Sequence, residues 1–164
     1  MKIGYDIYES SLIGPIGMIV SDRGLERIML FEEEIDRYLK ENTFCKRNEG
    51  LCKEIKQQID EYFKGERTCF NFAMHIEGTP FREQVWQNLA RIPYGTTISY
   101  SELASRIGNP KAVRAVGGAN RANPIPLIIP CHRVIGKNGE MVGFAGSKVD
   151  TKIKLLEHEH RYLA

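Results

Sequence analysis

Within these 164 residues, the group best equipped for covalent chemistry is Pro130-Cys131-His132-Arg133. A cysteine sulfur is a strong nucleophile only as the thiolate, and a free thiol with a pKa of about 8.5 is mostly protonated at neutral pH. An adjacent imidazole can take the proton. A cation such as Arg133, or a nearby helix N-terminus, can stabilise the anion left behind. The chemistry within reach is therefore attack by Cys131 on an electrophilic centre. Geometry imposes a condition on it. Neighbouring residues of an extended strand point to opposite faces, so His132 can serve Cys131 only if the chain turns there or a water bridges the two. By residue type alone, a buried and inert thiol is the plainer reading of Cys131.

The remaining cysteines, Cys45, Cys52 and Cys69, do not suggest a disulfide framework, because a chain of this length can build a core without staples. With no export signal at its start, MKIGYDIYESSLIGPIG, the expected location is the cytoplasm, where all four would be thiols. No C-x-x-C pair occurs, and His75, His132, His158 and His160 are not spaced against the cysteines as zinc ligands are. Neither a metal nor a cofactor is expected. No stretch approaches the roughly 20 apolar residues of a membrane helix, and 42% hydrophobic with 27% charged residues is the composition of a soluble globular protein.

Charge is distributed unevenly. Residues 1–78 carry a net −4 and residues 79–164 a net +6. Between positions 91 and 137 seven basic residues, among them Arg114 and Arg121, face the single acid Glu102. This asymmetry fits a polyanion-binding surface on the second half, although ordinary solvated charge would look the same.

The elements that must position these residues fall into two groups. Lys2–Tyr8, Met18–Ser21 and Leu25–Phe31 read as short strands separated by turns at Gly14-Pro15-Ile16-Gly17 and Asp22-Arg23-Gly24. Glu32-Glu33-Glu34 reads as a solvated loop or a helix start. Leu51, Ile55, Ile59 and Phe63 recur every four residues and predict a helix ending before Gly65, with a further strand at Thr68–Met74 completing a small sheet. The boundary is expected at Glu77-Gly78-Thr79-Pro80. Thr79 can cap a helix whose first residue is Pro80 and whose apolar face is Phe81, Val85, Trp86 and Leu89. Ser99-Tyr100-Ser101-Glu102 has the form of a capping box opening a short helix. After Gly108, Asn109 and Pro110 are positioned to start a second helix running to about Asn120, so the pair reads as a helix-turn-helix. The second helix is rich in small residues, and its Gly117-Gly118 pair, each glycine costing about 1 kcal/mol against alanine, suggests close packing against either core or ligand. Asn123-Pro124-Ile125-Pro126 must be irregular. Leu127-Ile128-Ile129 reads as a buried strand delivering Cys131, and a glycine-rich loop then leads to a last helix from about Lys148 to Glu159, with Ile153 and Leu156 inward.

The run Asn123-Pro124-(x)5-Pro130-Cys131-His132-Arg133-Val134-Ile135, preceded by Arg114-Ala115-Val116-Gly117-Gly118-Ala119, resembles the active-site signature of the O6-alkylguanine-DNA alkyltransferases. The resemblance extends from Thr79-Pro80-Phe81 through Ile92-Pro93-Tyr94-Gly95-Thr96-Thr97 to Leu155-Leu156-Glu157-His158-Glu159, about half of the chain. It implies an α+β protein. Residues 1–78 would form a ribonuclease-H-like sheet-plus-helix domain, and residues 79–164 a helical, winged-helix-like domain carrying the helix-turn-helix. It also implies direct-reversal DNA repair, in which an alkyl group moves irreversibly and stoichiometrically from O6-alkylguanine, and from O4-alkylthymine, in duplex DNA onto Cys131.

The roles that follow by resemblance are specific. Glu159, a bridging water and His132 would remove the thiol proton; Tyr100 would donate a proton toward the departing base; Asn123 would brace the bend. Arg114 would fill the space left by a flipped nucleotide, and Arg121 would contact phosphate. Ala112, Ala115 and Gly118 would allow the second helix of a monomeric protein to approach the minor groove. Pro126, Val134, Phe144, Ala145 and Gly146 would line the pocket. Many members have Tyr-Ser where this chain has Phe144-Ala145, which removes two hydroxyls from that wall. Non-catalytic alkyltransferase-like proteins carry tryptophan in place of the nucleophile, and Cys131 argues against that alternative. A redox-sensing transcription regulator would normally need a dimer seam and a sensor domain. A cysteine hydrolase would need an oxyanion hole. The sequence signals none of these.

Overall fold

The computed structural model describes residues 2–140 and 149–163. The chain divides into two compact units, Met1–Ile76 and Glu77–Ala164. The first unit is a sheet with helices and the second is mainly helical, an α+β architecture.

In the first unit, β1 (Ile3–Ser10), β2 (Gly14–Ser21) and β3 (Gly24–Met29) form an antiparallel meander, and β4 (Lys46–Arg47) adds parallel to β1, giving the order β3-β2-β1-β4. The glycine- and proline-containing stretch expected as a turn at Gly14–Gly17 belongs to β2, where Pro15 pairs with Glu9. The turn lies just before it, closed by Ser10 Oγ accepting from the amides of Leu12 (3.1 Å) and Ile13 (3.0 Å). A serine side chain here does the work attributed to the glycines.

The three glutamates at 32–34 form the first turn of α1 (Glu32–Glu41), where carboxylates favour the positive end of the helix dipole. Helix α2 (Glu49–Phe63) is capped by Asn48 and buries Cys52, Ile55, Ile59 and Tyr62. Residues 68–74 do not form the expected strand; Met74 makes one isolated bridge with Leu25. The Gln58 side chain takes both backbone groups of Asn71 (3.0 and 2.8 Å) that a neighbouring strand would otherwise satisfy.

In the second unit, α3 (Pro80–Leu89) begins as the sequence predicts, with Thr79 Oγ1 accepting from the Arg82 amide at 3.2 Å, and buries Val85, Trp86 and Leu89. The strand β5 (Ile98–Ser99) runs directly into α4 (Tyr100–Arg106), capped by Ser99 Oγ at 3.0 Å from the Glu102 amide. The Glu102 carboxylate pairs with Arg106 (3.2 Å). Helix α5 spans Val113–Arg121 and so starts later than Pro110. Asn109 and Pro110 lie in the connecting turn, where the Asn109 amide closes on Ala104 O and the Ala112 amide on Asn109 O, both at 3.0 Å. Asparagine followed by proline suits a turn as well as a helix start.

Leu127–Ile129 is not a strand. Leu127 adopts φ 76°, and Ile129 N returns to Ile125 O at 3.0 Å, because two flanking prolines deny a ladder its donors. A 3-10 turn at Cys131–Arg133 follows, then β6 (Val134–Ile135), which pairs parallel with β5. The last helix, α6, spans Val149–Arg161. No helix among the described residues is long and apolar enough to cross a membrane.

Candidate active site

Parallel pairing of β5 with β6 brings the N-terminus of α4, and with it Tyr100, to the 3-10 turn that carries Cys131, His132 and Arg133. The chain therefore turns there instead of running extended, and successive residues of a 3-10 turn diverge by about 120° rather than pointing to opposite faces. Cys131 and His132 are both buried, at 3% and 0% exposure. Just upstream, Asn123 Nδ2 donates to Ile129 O (2.8 Å) while its Oδ1 accepts from Ile125 N (3.0 Å), closing the bend.

Helix α6 supplies the opposite side. Its buried face is Lys152, Leu155, His158 and Glu159, displaced from the Ile153 and Leu156 expected from apolar periodicity. The face is turned because it carries charges that have partners. His132 Nε2 lies 2.7 Å from Glu159 Oε2. Arg133 holds the same carboxylate with two donors, Nε to Oε1 at 2.8 Å and Nη2 to Oε2 at 2.9 Å, and anchors its third through Nη1 to Ile92 O at 2.7 Å. Gly95, at φ 78°, brings its amide to 3.3 Å from Glu159 Oε1. A side chain at 95 would be strained by that φ and would push aside the end of the exposed Leu163 side chain.

These contacts decide the protonation states. Burial alone would raise the Glu159 pKa, but the hydrogen bonds from His132 and Arg133, together with the Arg133 charge, outweigh it and hold the carboxyl well below the usual range. His132 is pushed down chiefly by burial, with Arg133 and Lys152 adding to the effect against the pull of Glu159. An ionised Glu159 beside a neutral imidazole requires the proton on Nε2. Nδ1 is then a basic lone pair, buried and without a hydrogen-bond partner among the described residues. Burial pushes the Cys131 thiol up to about 11, opposed by the Asn123 side chain, the Lys152 charge and two backbone amides. The resting thiol is protonated, and every neighbour that acts on it favours the anion.

Lys152 and Arg133 are the site residues that sequence reasoning missed or underused. Lys152 has 0% exposure; its ammonium donates to Val134 O and sits 5.8 Å from the centre of the Tyr100 ring. Burial lowers its pKa to about 8. Its position seven residues before Glu159 puts both on one face of α6. Tyr100 is likewise raised by burial, to about 12.

The other sequence-predicted residues lie apart from this cluster or cannot be placed. Arg114, Ala115 and Arg121 are exposed on α5, and Ala112 and Gly118 are partly exposed. Among the described residues a Cβ on Gly118 would meet nothing within 4 Å, so the close packing suggested by Gly117-Gly118 is not internal. Pro126 is partly exposed and Val134 fully buried. Phe144, Ala145 and Gly146 lie outside the described residues.

Family models of the 6-O-methylguanine DNA methyltransferases match both units: the ribonuclease-like domain over residues 3–76 and the DNA binding domain over residues 80–161. The chain belongs to this family. It is 45% identical over 158 residues to the constitutive methylated-DNA–protein-cysteine methyltransferase of Bacillus subtilis (strain 168), covering 93% of this chain and 94% of that one. A methylated-DNA–protein-cysteine methyltransferase from Methanosarcina acetivorans is 43% identical over 155 residues, 94% of this chain and 97% of that one. Among solved structures, O6-methylguanine methyltransferase of Mycobacterium tuberculosis superposes with a TM-score of 0.88 at 37% identity, covering 99% and 96% of the two chains. The same organism's protein in complex with DNA gives 0.86 at 38% identity, covering 97% and 94%. The unit that matches the family's DNA binding domain is the one that holds Cys131.

Proposed function

We propose that the chain repairs duplex DNA by direct reversal, moving the alkyl group of O6-alkylguanine, and of O4-alkylthymine, onto Cys131. The 2.7 Å contact between His132 Nε2 and Glu159 Oε2 carries the reading, because it leaves Nδ1 as the acceptor for the thiol proton. In the transfer, the thiol proton passes through a water to Nδ1, the S–C bond forms in line as the C–O6 bond breaks, and the bond's electrons leave with the guanine. Tyr100 donates a proton to the departing base. The product is a thioether, which is not hydrolysed, so each molecule acts once. Lys152 steadies the developing thiolate and Asn123 holds the bend that sets the sulfur's position.

The protein works as a monomer, with α5 entering the minor groove. Ala112, Ala115 and Gly118 form its near face, which the open space at Gly118 supports. Arg121 contacts phosphate, Arg114 occupies the gap left by the flipped nucleotide, and Pro126 and Val134 help to line the pocket. Much of the binding energy is then electrostatic, and affinity falls as salt rises.

The test is a titration of duplex DNA containing O6-methylguanine with the protein. Repair should plateau at one lesion per protein molecule; many lesions repaired per molecule, or none, would contradict the proposal. Arg114→Ala should slow repair of the duplex about 100-fold, the scale set by a few kcal/mol of unstacking. It should leave reaction with a free O6-alkylguanine base within about twofold, and equal losses would remove Arg114 from flipping.

A further inference from the structure

The buried face of α5 is Val116, Gly117, Ala119 and Asn120, so an amide occupies a position where packing alone calls for an apolar side chain. Asn120 is 1% exposed. Its Nδ2 lies 3.3 Å from Tyr100 Oη and 3.5 Å from Cys131 O. The carbonyl of Cys131 can only accept, so the amide is assigned with its NH2 end toward this pair. Asn120 Oδ1 is then buried with no hydrogen-bond partner among the described residues. A buried acceptor left without a partner costs stability. The backbone around Asn120 is held independently, because Trp86 Nε1 donates to Ala119 O at 2.9 Å. Nothing about packing requires the amide, yet it joins the DNA-facing helix to both the tyrosine and the nucleophile's own residue.

We infer that Asn120 is a positioning residue for the proton-donating step: by donating to the Tyr100 oxygen it occupies an acceptor lone pair there and turns the phenol's own proton away from α5. A phenol that accepts from Asn120 directs its O–H elsewhere, and a donated hydrogen bond also eases the build-up of negative charge as the proton leaves. Asn120 touches no reacting atom; it acts through Tyr100. The inference rests on the proposed role of Tyr100 as proton donor to the departing base.

The test measures single-turnover transfer from duplex O6-methylguanine by wild type, Asn120→Leu, Tyr100→Phe and the double variant, with the melting temperature of each. Asn120→Leu should lower the rate about 10-fold, less than the roughly 100-fold or more of losing a general acid outright because the acid itself remains, while the melting temperature stays within a few degrees, since removing the unsatisfied acceptor offsets the donor lost to Tyr100 and Cys131. The double variant should be no slower than Tyr100→Phe. If Tyr100→Phe transfers at the wild-type rate, Tyr100 is not the proton donor and the inference falls with that reading. If Tyr100→Phe is slow but the two losses multiply in the double variant, Tyr100 stands and the Asn120 inference alone is overturned. A melting temperature lowered in step with the rate would also overturn it, in favour of a packing role. Asn120→Asp gives a readout that packing would not move. An ionised carboxylate can only accept and would capture the phenol proton, so the rate relative to wild type should fall as pH rises. A flat ratio would contradict the inference.

Discussion

Cys52 on α2 and Cys131 on the 3-10 turn are both buried thiols, and burial pushes both above an ordinary cysteine, to about 12 and about 11. Their company separates them. Beside Cys52, the Asp6 carboxylate and the Cys45 thiol oppose ionisation, and only Lys56 favours it. That lysine is already paired with Asp6 at 3.2 Å. Beside Cys131, the Asn123 amide, the Lys152 ammonium and backbone amides all favour the anion, and the next residue is a neutral imidazole whose basic nitrogen has no hydrogen-bond partner among the described residues. Burial does not separate the two thiols; the sign and placement of the surrounding charges do, and they suit the nucleophilic role proposed for Cys131.

The contrast is tested most severely by removing each sulfur. Cys131→Ala should abolish alkyl transfer, whereas Cys52→Ala should leave its stoichiometry intact and cost about 1 kcal/mol of stability, both read by radiolabelled methyl transfer and thermal melting. Next are the buried carboxylates of the two units. Glu159→Gln leaves Arg133 buried without its counter-charge, a loss of about 3–5 kcal/mol. Trp86, the sole tryptophan, should report it as a lower unfolding midpoint in urea. Asp6→Asn should cost less, because its partners Arg47 and Lys56 are 48% and 39% exposed and can turn to water.

A smaller effect separates the two lysines. Lys152→Met should raise the Cys131 pKa by about one unit, which is tenfold in thiolate, and slow transfer about tenfold at neutral pH. Lys56→Met should leave transfer unchanged. A rate that follows Lys56 rather than Lys152 would reverse the comparison.

The mildest test is acid. His132 has a folded-state pKa held below its ordinary value by burial. As pH falls below about 6.5, the unfolded chain takes up this proton first, so stability is complete above that pH and lost beneath it. Glu159, also held low, adds its own loss below about 4.3. The Trp86 transition should weaken over that range, and a midpoint constant from pH 7 to 5 would contradict a neutral, buried His132.

Sequence reasoning located these features unevenly, for physical reasons. The Thr79-Pro80 helix start and the Ser99 cap depend on local chemistry, and both occur as read. Asn109-Pro110 was misleading because the same two residues also make a turn. Leu127–Ile129 has strand composition, but its flanking prolines and the Asn123 clamp fold it back. Lys152 gave no signal at all, since a lysine between Thr151 and Ile153 looks solvated until β6 and Tyr100 are seen to enclose it. The Arg133–Glu159 clamp was equally hidden, because the two residues meet only in the folded unit. The resemblance pointed to Cys131, His132 and Glu159, but not to what sets their protonation.

The most direct test is peptide mass spectrometry after reaction with duplex DNA containing O6-methylguanine. One added methyl group should map to Cys131, with Cys45, Cys52 and Cys69 unmodified. Methylation of Cys52, or of any residue other than Cys131, would contradict the account.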